Sequence, residues 1–365
     1  MNMNMNMNMN MKRKSVLALT GTVLAIAVGL VWPLPLQAQG GAPKYEVDTS
    51  WPMPLPDRWV IGPLGGVCVD GQDHVFVLHR QEFLDVDLDA GQKAPPVIEF
   101  DPAGRVVNSW GATLEQPLIN SFHGCHVDAD NNVWIASFES GAVRKYSHDG
   151  SKLLLQIGKS GVVDSSDGTL KGKPLNSNAA QFFGAAAVAV DRQTGDVYVA
   201  DGDSRTGNRR MVVTDRAGKF LRQWRPESET LHCMVVANDG LVYVCDRPRN
   251  RIQVYDRMGS FKRHIDIPWK PYTPVAGKGG TAGSAVSLAL PRDQNQRLLY
   301  VINQNNSQVE VLDRQTGKIV SSFGRAGQFP GQLNQPLNIA VDSRGNVYVS
   351  ENRGRRVQKF KIVGQ

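Results

Sequence analysis

Ser121 to Ala136 reads SFHGCHVDADNNVWIA. Alternating residues run up to Val127, an Asp-Ala-Asp-Asn-Asn stretch reverses the chain, and Val133-Trp134-Ile135-Ala136 resumes the apolar pattern. Two short strands joined by a tight hairpin have this signature. The phrase returns as GGVCVDGQDHVFVL from Gly65, AAAVAVDRQTGDVYVAD from Ala185, HCMVVANDGLVYVCD from His232, AVSLALPRDQNQRLLYVI from Ala285 and PLNIAVDSRGNVYVSE from Pro336. Six copies define a repeat protein.

Each repeat continues into a third strand, predicted at Val97 to Phe100, Ala142 to Tyr146, Arg210 to Thr214, Arg251 to Tyr255, Gln308 to Leu312 and Arg356 to Phe360. A fourth usually follows, ending in phrases such as Val107-Asn108-Ser109-Trp110-Gly111. The sixth repeat stops one strand short, while Lys44 to Pro52 (KYEVDTSWP) alternates like a strand without a partner. The simplest arrangement lets that N-terminal strand complete the last sheet. A ring leaves no blade face uncovered, so the expected fold is an all-β, six-bladed β-propeller. The 36 glycines and 41% apolar content agree. Three long connections, Gln81 to Pro96, Gly158 to Gln181 and Ile267 to Gly283, are expected to wall one face.

Upstream of the propeller, Met-Asn repeats precede Lys12-Arg13-Lys14, an apolar run from Val16 to Trp32 and a small residue at Ala38. Residues 1–38 read as a secretory signal peptide, with an uncleaved anchor as the alternative. Residues 39–365 then form a single exported domain, periplasmic or secreted if bacterial, and expected to be monomeric. Without the three basic leader residues the formal charge of +7 falls to +4. That is too mild and scattered for a nucleic-acid partner, and no membrane contact beyond the leader is expected. Export permits disulfides: Cys233 with Cys245 across one hairpin, Cys68 with Cys125 between consecutive repeats, or four small buried thiols.

The copies differ where they should approach the central channel. Counting back from the Asp that ends the first strand, one set of positions holds Gly65, His123, Ala186, His232, Val286 and Leu337. The next holds Gly66, Gly124, Ala187, Cys233, Ser287 and Asn338. Histidines from alternate blades could converge on a metal, and three would complete a zinc site with an open position. His126 offers a substitute third ligand, although strand alternation would turn it away from His123, and Asn338 is a weaker oxygen donor. The plainer reading, polar residues lining a wet channel, stays open. Arg80 and Arg247 follow the second strands of blades one and four, where paired guanidiniums could hold a carboxylate. Ordinary turn chemistry is the alternative. Asp128, Asp130 and Asn132 fit a hairpin better than a calcium loop.

PLNIAVDSRGNVYVSENRGRRVQKF and HVDADNNVWIASFESGAVRKY resemble NHL repeats. VLHR, then FHGCHVDADNNVWIAS, then LHCMVV with VCDRPRNRIQVYD resembles peptidyl-α-hydroxyglycine α-amidating lyase, an NHL-type six-bladed propeller. The resemblance runs from about Gly65 to Phe360. It implies a metal-dependent carbon–nitrogen lyase with zinc at His123 and His232, and Arg80 and Arg247 binding the carboxylate of a small or peptide ligand. Leu337 stands where that family has its third histidine. Asn338 stands where it has an acid associated with a structural calcium, and Asp203 where it has its catalytic tyrosine. Asp203 is therefore a candidate base, although an ordinary carboxyl pKa of ~3.9 would need strong tuning. The alternative is a non-catalytic propeller that binds a peptide, glycan or partner protein. A lactonase-like hydrolase would need a ring of acids that the inner strands lack.

Overall fold

In the computed structural model, which describes residues 41–203, 207–268 and 283–364, six four-stranded antiparallel sheets follow one another along the chain. Blade 1 comprises Leu64–Val69, Val75–His79, Val97–Phe100 and Val106–Trp110. Blade 2 comprises Phe122–Val127, Val133–Ser137, Val143–Tyr146 and Leu153–Ile157. Blade 3 comprises Ala185–Val190, Val197–Asp201, Arg210–Thr214 and Phe220–Trp224. Blades 4 and 5 open with Leu231–Val236 and Ala285–Ala289 and repeat the pattern. Blade 6 is Pro336–Val341, Val347–Glu351 and Arg356–Gly364, with Lys44–Val47 paired outside the last. The fold is therefore the six-bladed propeller expected from the repeats, closed by the N-terminal strand. That strand ends earlier than Pro52, because the Asp48 carboxylate accepts the Ser50 N–H and hydroxyl in a local turn.

Second strands of all six blades are almost wholly buried, whereas fourth strands alternate toward solvent. Apolar clusters fill each gap between neighbours. Phe76, Phe122, Ile135 and Tyr146 pack between blades 1 and 2, and Val67, Val77, Ala340 and Tyr348 close the ring between blades 6 and 1. Both cysteine pairs are disulfides: Cys68–Cys125 links the innermost strands of blades 1 and 2, and Cys233–Cys245 ties two strands of blade 4. Among the described residues no cysteine is free. No helix among them is long and apolar enough to cross a membrane.

One irregularity recurs in every blade and positions the site. Each innermost strand breaks register against the second strand near its start, skipping Gly65, His123, Ala186, Val286 and Leu337 in five blades and His232-Cys233 in blade 4. A bulge there kinks the strand and re-aims its side chain. Space is short: a Cβ on Gly65 would lie 2.2 Å from the Phe122 carbonyl oxygen of the next blade. The expected wall loops differ in character. Gln81 to Pro96 carries a helix, Asp85–Ala90, and a short parallel pairing of Trp59–Val60 with Gln92–Lys93. Most of Ile267 to Gly283, like residues 1–38, lies outside the described residues.

Candidate metal centre

His123 and His232 occupy the bulges of blades 2 and 4, and both are buried. His123 Nδ1 lies 3.2 Å from the Ala186 carbonyl oxygen and His232 Nδ1 lies 2.6 Å from that of Val286. Each acceptor is the bulge residue of the following blade. A carbonyl can only accept, so Nδ1 carries a hydrogen in both rings; Nε2 of His232 keeps its lone pair, whereas Nε2 of His123 faces the Asp203 carboxylate, a contact that needs a hydrogen between them and that a metal ion would replace. Metal-binding histidines are oriented by this kind of outer hydrogen bond. The rings are 4.3 Å apart, centroid to centroid.

Asp203 completes the group. It follows the second strand of blade 3, where the Gly202 and Asp203 N–H groups both donate to the Gly184 carbonyl, at 2.9 and 3.0 Å. Asp203 Oδ2 stands 2.9 Å from His123 Nε2. Ligand atoms of His123, Asp203 and His232 all lie within 4.8 Å of one another. Burial alone would raise the Asp203 pKa. The neighbouring His123 and His232 rings, the His123 hydrogen bond and the Arg247 guanidinium outweigh it and hold the carboxylate well below its usual range. Burial also pulls the His232 pKa well down, against the attraction of Asp203, which favours the neutral ring that a metal ligand must be. Two imidazoles and one carboxylate match the three-ligand donor set of a catalytic-type zinc site. Leu337, buried at the blade 6 bulge, supplies no donor.

Above this group, residues following the second strands form the upper rim. Aligned by strand end they are Arg80, Phe138, Gly202, Arg247, Gln304 and Asn352. Arg80 donates from Nε to the Phe122 carbonyl at 3.2 Å and lies over the Phe138 ring. Arg247 donates from Nη2 to Gln304 Oε1 at 2.9 Å. Burial lowers the Arg80 pKa, while Glu82, Asp203 and Glu139 raise it, so Asp203 is electrostatically coupled to both arginines. Phe138 meets His123 edge to face at 5.9 Å. The structure thus brings His123, His232, Asp203, Arg80 and Arg247 to one end of the channel.

His126 stands apart from this group, although His232 borders the same channel cavity. His126 lines that cavity, of about 200 Å³, with Arg192 and Arg292, and burial with those two arginines pulls it down to about 4 against the opposing Asp128. Asn338 spans inward to donate to the His123 carbonyl at 3.2 Å, and its Oδ1 is buried without a hydrogen-bond partner. Arg353 is exposed, one residue past the rim position held by Asn352. Phe138 and Gln304 escaped the reading by motif. The signal that finds them is the first residue after the second strand, compared across all six blades.

With this geometry in place, the chain can be set beside known proteins. The family model of the NHL repeat matches residues 231–255, in blade 4. NHL repeat-containing protein 3 of Mus musculus is 28% identical over 87% of this chain and 84% of its own length. Peptidyl-glycine alpha-amidating monooxygenase B of Xenopus laevis is 24% identical over 86% of this chain but only 35% of its own length. Peptidyl-alpha-hydroxyglycine alpha-amidating lyase 1 of Drosophila melanogaster is 24% identical over 87% of this chain and 59% of its own. The chain therefore spans only part of each amidating relative. Among solved structures, a streptogramin B lyase superposes with a TM-score of 0.54 at 13% identity, covering 88% of this chain and 98% of that one. At that identity the likeness is one of fold. Repeat match, relatives and architecture agree with the NHL-type propeller expected from the repeated phrases.

Proposed function

We propose that the protein is a metal-dependent lyase acting on a carboxylate-bearing substrate of the peptidyl-α-hydroxyglycine class. The observation that carries this reading is the convergence of His123, His232 and Asp203 within 4.8 Å beneath Arg80 and Arg247. His123, His232 and Asp203 would hold a zinc ion, which when bound supplies Lewis acidity toward a substrate oxygen. The remaining work falls to the chain. Arg80 and Arg247 bind the substrate carboxylate and fix its orientation, their guanidinium planes held by Phe122 and Gln304. The Ala186 and Val286 carbonyls keep the hydrogens of both histidines on Nδ1. Phe138 shields one side from water. Asp203, bonded to His123 and held in its anionic form, suits the role of ligand better than that of base. The unpartnered Asn338 Oδ1 is a single neutral oxygen, far short of the six to eight that calcium takes.

In the reaction the carbon–nitrogen bond breaks, the hydroxyl oxygen becomes the carbonyl of glyoxylate as its proton leaves, and the nitrogen gains a proton as peptide amide. The test is glyoxylate release from a peptidyl-α-hydroxyglycine by the zinc-equilibrated full chain. We expect turnover that a chelator removes, zinc restores and His232→Ala abolishes. A well-folded, zinc-loaded protein that releases none would overturn the lyase reading. That result would favour the binding propeller, whose specific support is that the His123–Asp203 hydrogen bond satisfies both groups without an ion.

A further inference from the structure

We propose a second divalent-metal site, of zinc type, made by Asp70, His74, Glu99 and His148 at the joint between blades 1 and 2. It lies at the turn end of the propeller, opposite the rim that carries Arg80 and Asp203. Asp70 and His74 bracket the turn between the first two strands of blade 1, Glu99 comes from its third strand, and His148 from the turn after the third strand of blade 2. His148 Nε2 is 2.8 Å from Asp70 Oδ2 and 3.8 Å from Glu99 Oε1, and His74 Nδ1 is 2.6 Å from Glu99 Oε1. All four donor atoms lie within 4.8 Å of one another. Tetrahedral zinc with bonds of ~2.0–2.2 Å requires donor separations of about 3.4 Å, within the spread seen here. Two carboxylates and two neutral imidazoles leave the complex uncharged, as a half-buried site requires. Both carboxylates are buried while the histidines reach solvent, so an ion has a way in.

The repeat itself supplies the second argument, because at each of these positions two other blades show a different use, although at the place of Glu99 the remaining three carry Val213, Val254 and Val311. At the place of His74, blades 2 and 6 have Asn132 and Asn346, whose amides donate to the turn aspartates Asp128 and Asp342. At the place of Glu99, they have Lys145 and Lys359, and Lys145 pairs with Asp128 at 2.9 Å. At the place of His148, blades 4 and 5 have Arg257 and Arg314, which reach back to Asp191 and Asp239 of the preceding blades at 2.6 and 2.7 Å. At the place of Phe76, blades 2 and 6 have Trp134 and Tyr348, each donating to its turn aspartate. Blade 1 and its neighbour replace an amide, a permanent cation, a second permanent cation and an aromatic donor with His, Glu, His and Phe. Every departure removes a fixed donor or charge, and three of the four install a zinc ligand. Asp70 is oriented for it: Oδ1 accepts the Gln72 and His74 N–H groups, both at 2.8 Å, which leaves Oδ2 facing the cluster. Arg292, the cation nearby, is spent on the Asp70 backbone carbonyl.

The experiment starts from the full chain carrying His123→Ala and His232→Ala, which removes the channel donors, and uses zinc alone as the probe. After chelation, zinc equilibration and desalting, the bound metal is counted by elemental analysis. One zinc per chain is expected. The count should fall to zero when His74→Asn, Glu99→Lys and His148→Arg are added, changes that restore the residues other blades use and so preserve the fold. Cobalt(II) in the first variant should give the intense visible bands of a four-coordinate centre, absent from the second. A folded His123→Ala/His232→Ala protein without zinc would overturn the proposal, as would a count unchanged by the three further substitutions.

Discussion

Replacing Arg210 with Met should cost about 3–5 kcal/mol of stability, the range for breaking a buried ion pair from one side. Arg210 is fully buried in blade 3. Its Nε bonds Asp201 Oδ2 at 3.0 Å, its Nη2 lies 3.0 Å from Asp164 Oδ2, and its Nη1 donates to Gln223 Oε1 at 3.0 Å and to the Ser177 carbonyl. Methionine fills the volume but strands two carboxylates that would then share the Asn208 amide, 2.8 Å from each. Burial already raises the Asp201 pKa against the pull of Arg210. Without the guanidinium it should rise further, and the loss should shrink as the pH falls and Asp201 takes up a proton. The assay is urea unfolding at pH 7 and at mildly acid pH with disulfides intact. Arg210→Met/Asp201→Asn should recover part of the loss, since the stranded charge rather than the missing contact dominates. Arg222→Met, which frees a part-exposed pair with Asp196, serves as the control and should stay within ~1 kcal/mol. A loss of similar size at Arg210 would refute the reasoning. Because Asp201 precedes Asp203 by two residues, the variant should also weaken zinc at the channel site roughly 10–100-fold, as outer-sphere changes do.

His79, buried at the end of the second strand of blade 1, is pulled down to about 4, chiefly by burial. Its contribution is therefore complete above pH 6.5 and is lost as the pH falls from there toward 4, a difference of the order of 3 kcal/mol. His79→Gln, whose amide can accept from Gly62 N and donate to the Pro95 carbonyl, should flatten that part of the stability profile. An unchanged slope would assign the pH dependence elsewhere. Arg247→Lys should weaken binding of glyoxylate about 10–100-fold, from ~1.5–3 kcal/mol per charged hydrogen bond, and equal affinity would remove Arg247 from the site. Removing Cys68–Cys125, which spans 57 residues, should destabilise by about 4 kcal/mol, against about 3 for the 12-residue Cys233–Cys245 loop. The reverse order in matched serine variants would reject the chain-entropy account.

The blade count was legible because one phrase recurs six times, and ring closure because the last copy lacks a strand that Lys44–Val47 supplies. The inner ring was legible for a physical reason the repeats do not announce. All six bulges fall at the same offset from the turn, so counting back from Asp128 or Asp342 lands on the side chains the bulges re-aim. Asp203 was placed at the site, but its distance to His123 was not readable, because it depends on the Gly202 and Asp203 amides sharing the Gly184 carbonyl. His126 was offered as a ligand on sequence proximity alone; in the structure it faces a cavity shared with Arg192 and Arg292. The Asp70 cluster was invisible to motif reading because its four residues come from two turns and a strand in two blades. Its histidines fit no metal spacing along the chain.

Both candidate centres meet in blade 2, which offers His123 at its bulge and His148 at its outer turn, and this shared sheet bears on how the two would communicate. The second strand between them, Val133–Ser137, is buried throughout and carries no titratable group. Its outer neighbours Arg144 and Lys145 are already paired with Glu115 and Asp128. Coupling between sites requires an element with two arrangements that both ligands bias, and a fully hydrogen-bonded central strand offers none. The Cys68–Cys125 link further ties blade 2 to blade 1 where their innermost strands meet. Zinc at the blade 1–2 joint should therefore strengthen that joint without changing channel affinity by more than about twofold, the scale of additivity between independent sites. Titrations of the His74→Asn/His148→Arg and wild-type chains would show this directly, and a tenfold difference at the channel would mean that blade 2 moves as a unit between two states.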